Sequence, residues 1–297
     1  MEDEQDVLLS VPGGKIDVTL PMEPLKISRQ ELLVWVKACA NAVSNYYGRF
    51  PVAHLTLRIS AGGRRGAHRG VTYARNGGLI LIQVGPDTQV SDLKEDWVLT
   101  HEMIHLAFPD MAPNHHWIEE GISTYVEPVA RAQVGALPVA EMWRVFIQDM
   151  PKGEPGYGDE GLDNTPTWGR TYWGGAMFCL AADVQIRERT HNRKGLQDAL
   201  RGIVAAGGNI NKDWEIEKTL AAGDRATGTN VLLSLYRKMR DKPAPVDLAQ
   251  VWTKLGLELK DGSVVFNDHA AEANIRRAIT ARKVQAKRKP VVAAAKP

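Results

Sequence analysis

Near Ser91 the hydrophobic spacing of the chain changes from a period of two to one of about 3.6 residues, which limits the fold to a sheet-bearing first third followed by helices. Residues 15–20 and 54–59 alternate apolar with polar side chains, as half-buried strands do, and 78–84 is the nearly continuous apolar run of a strand inside a sheet. Between the first two, Ser28 and Glu31 form a capping box ahead of Leu32, Leu33, Val36, Ala40 and Val43 at helical spacing. Gly48 follows as the residue that ends the helix, and this helix is expected to cover the sheet.

From Ser91 a stripe of Leu93, Trp97, His101, Ile104, His105 and Phe108 predicts one helix that stops before Pro109. A loop through Pro113 and Asn114 leads to a second helix over 117–128. The Gly- and Pro-rich stretch 151–169 reads as a long loop, and another helix follows over 173–189. Helical patterns recur near 196–206, 212–222, 229–240 and 246–255, before a hairpin in LELKDGSVVF and a last helix.

With 297 residues, 44% hydrophobic and 24% charged, the chain can bury a sizeable core. No apolar run reaches the roughly 18 residues of a membrane-spanning helix. The start MEDEQD lacks the basic region of an export signal, which favours the cytoplasm; a processed N-terminus favours the periplasm or secretion instead. Cys39 and Cys179 are too few for a disulfide scaffold and read as small buried hydrophobes. Residues 276–297 carry eight Lys or Arg and no acid, against 29 basic and 35 acidic side chains elsewhere, so the body is mildly acidic with a basic tail. Such a body gives no strong nucleic-acid signal, because that affinity comes from neutralising phosphates; any such binding falls to the tail.

The string HEMIH carries the chemistry. On a helix His101 and His105 project from one face about 6 Å apart, so both imidazoles can meet one tetrahedral zinc, while Glu102 reaches the water that such a metal activates. Zinc with two protein ligands is incomplete, and WIEEGISTYVE offers Glu119 or Glu120 as the third, on a helix able to fold back antiparallel to the first. Neighbouring helical positions differ by about 100°, so only one of the two can face the metal. Glu127, seven residues after Glu120, returns to the same face and can accept a hydrogen bond from the far nitrogen of a ligand histidine. His115 and His116 read as solvated or capping residues, and the loop with Arg64, Arg65, His68 and Arg69 as a mobile solvated one.

HEMIH followed by WIEEGISTYVE resembles the HExxH and W-x-x-E-G-x-x-x-Y signature of gluzincin metallopeptidases, especially the aminopeptidase N and glycyl aminopeptidase branches. The resemblance implies Glu120 as the third zinc ligand. TYWGGAMF is similar to the family's Y-x-x-G-A motif, which implies that Tyr172 stabilises the tetrahedral intermediate. The implied architecture is α+β, a thermolysin-like zincin with a small mixed sheet in the N-terminal lobe and mostly helical metal-binding and C-terminal lobes. The expected divisions are a sheet-containing lobe over 1–90, a helical zinc-binding lobe over 91–194, a helical C-terminal lobe over 195–284 and a basic disordered tail over 285–297.

The implied activity is hydrolysis of a peptide or protein substrate with zinc as cofactor. Two departures stand out. The connection between His105 and Glu120 holds 14 residues, shorter than the family's usual one, and the G-A-M-E-N motif that recognises a free amino terminus is replaced by GGRRGAHRGVTYARNGG. Aminopeptidase specificity is therefore not implied. The resemblance places 71–75 or 78–84 at the border of the cleft, where an extended peptide can add as an edge strand. The alternative reading is a peptide-binding protein that keeps the peptidase fold without efficient turnover.

Overall fold

The computed structural model describes residues 6–281. The expected basic tail over 285–297 lies outside them. The sheet has five strands, β1 (Asp6–Val11), β2 (Gly14–Thr19), β3 (His54–Ala61), β4 (Ala67–Tyr73) and β5 (Leu79–Val84), in the order β1-β2-β3-β5-β4. The β2–β3 and β3–β5 pairs are parallel while the outer pairs are antiparallel, so the sheet is mixed. β3 and β5 sit centrally and bury Leu55, Leu57, Ile80 and Ile82 almost completely, which accounts for the nearly continuous apolar run of β5. β4, without a clear pattern in the sequence, is an edge strand with a β-bulge between His68 and Val71.

The helix α1 (Arg29–Tyr47) begins with the expected reciprocal Ser28–Glu31 cap and ends on Gly48 at φ 83°, a conformation open to glycine. It packs on β1 and on the helices that carry the site.

The stripe from Ser91 does not form one helix. It divides into α2 (Val90–Glu95) and α3 (Val98–His105), because Asp96 adopts an extended backbone and its carboxylate accepts the backbone N–H groups of Val98 and Leu99 at 3.0 and 3.2 Å. An internal aspartate thus acts as a cap that restarts the helix at a new angle. α4 (His116–Gln133) runs past Pro128, at a cost of about 3 kcal/mol for an interior proline. Burial on nearly every side from Trp117 to Gln133 outweighs that cost.

α5 (Val139–Asp149), absent from the sequence reading, buries Met142, Trp143 and Phe146 at helical spacing. α6 (Gly175–Arg189), α7 (Leu196–Ala205), α8 (Ile216–Thr227), α9 (Val231–Met239) and α10 (Leu248–Leu255) follow. The hairpin of β6 (Leu257–Lys260) and β7 (Ser263–Phe266) and the last helix α11 (Ala273–Thr280) complete the described residues. No helix of these is long and apolar enough to cross a membrane. Cys39 and Cys179 are buried and unpaired.

Candidate metal centre and cleft

α3 ends on His105, so HEMIH occupies its last two turns and presents both imidazoles toward α4. His101 Nε2 lies 3.1 Å and His105 Nε2 3.7 Å from Glu120 Oε2, and one ligand atom from each of the three residues falls within 4.8 Å of the others. Two donors held about 2.0–2.2 Å from a shared tetrahedral zinc stand roughly 3.3–3.5 Å apart, so these separations bracket what that ion requires. The donor chemistry fits as well. Burial, followed by the neighbouring His101, pushes His105 down to about 3, leaving a neutral imidazole with a free lone pair. Burial alone raises Glu120, but hydrogen bonding with His101 and His116 prevails and holds it well below the carboxylate range.

Glu119 also lines the cleft, but its carboxylate is engaged by His116 and not by the imidazole pair. It is raised by burial and lies 3.4 Å from His116 Nδ1, while His116 Nε2 is 3.3 Å from the outer oxygen of Glu120. His116 is exposed, as expected, and is also a neighbour of the centre. His115 is also engaged, with its Nδ1 3.1 Å from Asp163, an aspartate that accepts the Trp117 indole N–H as well. Both histidines lie where α4 starts; His116 meets its own helix one turn on, whereas the partner of His115 comes from a segment distant in sequence.

Glu102 faces the opposite wall, where β4 closes over it. Thr72 Oγ1 donates to Glu102 Oε2 at 2.6 Å, and a Cβ on Gly70 would come within 2.7 Å of Glu102 Oε1. The bulge that includes Gly70 thus leaves space for this carboxylate, which a single sequence does not signal. Burial raises the Glu102 pKa against the opposing Thr72 hydrogen bond, as suits a proton acceptor. Of the two stretches expected at the cleft, β4 is the one that lines it; β5 is enclosed by its neighbours. In the basic loop, Arg65 pairs with Asp92 while His68 is buried, so only part of that loop is solvated.

Glu127 is buried, and the hydrogen bond it accepts comes from Arg131 at 2.8 Å rather than from an imidazole, because Arg131 sits one turn further along the same helix. Burial raises Glu127 to about 7 despite that partner.

Tyr172 sits in a π-helical turn, Gly169–Gly174, just ahead of α6. Single π turns are rare and recur at functional sites. The turn is held by a buried Arg170–Asp159 ion pair at 2.7 Å and by Arg170 donating to the Gly153 carbonyl at 2.6 Å, so the expected long loop is anchored at both ends. The Tyr172 ring stacks against His101 with centroids 6.4 Å apart. Burial and the Glu120 and Glu102 carboxylates push its phenol up to about 12, so it keeps its proton and can donate. His101, Glu102, His105, Glu119, Glu120 and Tyr172 share one open cleft of about 900 Å³.

α4 and α6 meet at Gly121 and Gly175, where a Cβ on Gly121 would lie 2.3 Å from Gly175 Cα and one on Gly175 would lie 2.2 Å from the Trp117 carbonyl oxygen. This contact sets Glu120 and Tyr172 side by side, which gives the glycine after Glu120 a steric reason. Gly175→Ala is expected to destabilise by about 1–3 kcal/mol, a Tm drop of roughly 2–10 °C. Gly156→Ala, with nothing within 4 Å of its Cβ, should leave Tm within about 2 °C. Equal melting curves for the two variants would contradict the close crossing.

No family model and no curated protein matches the chain. Solved structures do. The aminopeptidase N family protein of Idiomarina loihiensis aligns over 87% of this chain and 51% of its own, with a TM-score of 0.63 and 11% identity. The fold is that of the aminopeptidase N and M1 zinc metallopeptidase structures. An M1 zinc metallopeptidase variant from Deinococcus radiodurans, bound to a Tyr-Ser-Ala substrate, aligns over 81% of this chain and 53% of its own, with a TM-score of 0.51 and 12% identity. A two-domain M1 zinc metallopeptidase variant bound to L-arginine gives 81%, 54%, 0.50 and 13% for the same four quantities. The chain thus spans about half the length of these structures. The α+β class agrees with them.

Proposed function

We propose that this protein is a zinc-dependent peptide hydrolase. The observation that carries the reading is the convergence of His101, His105 and Glu120 within 4.8 Å, in a cleft that also holds Glu102 and Tyr172. These three residues hold the metal. When bound, zinc supplies a Lewis acid that polarises the scissile carbonyl and acidifies water.

Glu102, oriented by Thr72, accepts a proton from the attacking water as its oxygen bonds to the carbonyl carbon. It passes that proton to the departing amine nitrogen as the C–N bond breaks. Tyr172 donates its phenolic proton in a hydrogen bond to the oxyanion that forms. The edge of β4 accepts an extended peptide as an added strand, with Thr72 and Tyr73 bordering the cleft. Glu127 acts at longer range, its pair with Arg131 standing behind His101.

Removing metal with a chelator is expected to abolish peptide hydrolysis, and one equivalent of zinc to restore it. Full activity after exhaustive chelation, with zinc shown absent by elemental analysis, would exclude the reading. Metal-replete protein that stays inert on a diverse peptide library would favour the peptide-binding alternative.

A further inference from the structure

Beyond the ring of Tyr172, on the side away from β4, lies a second cavity of about 580 Å³, in the size range of ligand pockets. It opens beside the metal centre, because His101 and Tyr172 line both spaces. Its walls are largely apolar. Trp97 stands edge-on to His101 with centroids 5.6 Å apart, Trp168 stacks on Tyr172 at 5.9 Å, and Trp173, Leu137 and Val145 complete the lining. Trp97 is 54% and Trp168 61% exposed, so two large indoles lie partly uncovered around a concave space. Exposed aromatic surface gathered around a concavity is the kind of surface that ligand-binding grooves present.

The charges around the cavity decide what it can take. Glu127 is paired with Arg131, Glu141 with Arg144 and Asp149 with Lys152, which leaves Glu95 as the one lining acid with no ion pair among the described residues. Three of the four acids around the cavity are thus already engaged by basic partners. Lys152 is also engaged, its ammonium 6.0 Å from the Trp168 ring, so no free cation stands ready for a carboxylate.

We infer that this cavity receives a large aromatic side chain of the substrate, at a position flanking the cleaved bond, with Trp97 and Trp168 setting the preference. The inference rests on the peptide-hydrolase reading and adds the class of residue chosen. A ring that slides past Tyr172 exchanges water for the faces of both indoles, while its backbone stays along the β4 edge.

The test compares zinc-loaded full-length wild type with Val145→Trp, which fills the cavity, and with Trp168→Ala, which removes an exposed wall and carries little folding risk. Cut sites on a peptide library are mapped, and kcat/KM is measured for matched peptides bearing phenylalanine or alanine at the selected position. Wild type is expected to prefer phenylalanine, and the phenylalanine-to-alanine ratio to fall about 10- to 100-fold in Val145→Trp and at least several-fold in Trp168→Ala. An unchanged ratio in both variants overturns the inference.

If the wild type cuts no peptide, the hydrolase reading fails by itself and the cavity is judged by binding of indole, followed by saturation-transfer NMR. Signal in the wild type that disappears in Val145→Trp or weakens in Trp168→Ala supports a ring pocket. Equal signal in all three proteins, or none in the wild type, overturns it.

Discussion

Glu102→Gln is expected to lower kcat/KM for peptides by about 10²–10⁴-fold while the protein still binds one zinc. The substitution keeps the size of the side chain and its contact with Thr72, which donates at 2.6 Å, so β4 and α3 should not separate. What changes is the ability to take a proton, since an amide has no basic oxygen at neutral pH. Metal retention is part of the expectation, because Glu102 projects to the β4 side while the donor set lies toward α4. The measurement pairs steady-state kinetics with zinc stoichiometry on the same preparation. Turnover within tenfold of wild type would remove Glu102 from the role of general base, whereas loss of zinc would mean that it holds the metal.

The second large effect concerns the choice between adjacent glutamates. Glu120→Ala is expected to weaken zinc binding by more than about 100-fold, beyond what is typical for a residue that only orients a ligand, and to abolish hydrolysis with it. Glu119→Ala is expected to retain zinc within roughly tenfold. The asymmetry follows from their directions: Glu120 Oε2 is 3.1 and 3.7 Å from the two imidazoles, whereas Glu119 reaches His116 at the start of α4. Competition against a metal-sensitive dye gives both affinities. The reverse order, with Glu119→Ala stripped of zinc and Glu120→Ala loaded, would reassign the third ligand and the geometry that goes with it.

Much of this site was readable before any fold was known, because its parts depend on short-range geometry. Two histidines four apart with a glutamate after the first can only share a helical face in one way, and α3 carries them as spacing requires. The Ser28–Glu31 cap and the Gly48 terminus of α1 are likewise local devices, complete within a few residues. Other features escaped for definable reasons. The break at Asp96 was hidden because an aspartate within a helical stripe looks like an ordinary polar position until its carboxylate turns back to the Val98 and Leu99 amides. The passage of α4 through Pro128 was hidden because local propensity argues for a stop, and only burial contributed by neighbouring helices overrides it. α5 carried a legible stripe in Met142, Trp143 and Phe146, so its omission was not forced by physics.

By itself the amino-acid order determined which side chains can act and which of them share a helical turn, since i to i+4 geometry is the same in any helix. It left open everything that joins distant segments. Whether Glu119 or Glu120 meets the imidazoles, how Gly121 and Gly175 bring Tyr172 alongside, why Gly70 must lack a side chain and how Trp97 and Trp168 come to border one cavity were decided only when α3, α4, the π turn and β4 packed together. The physical reason is that rotation of one helix against another is set by close packing along the whole interface, and no spacing within a single segment contains that information.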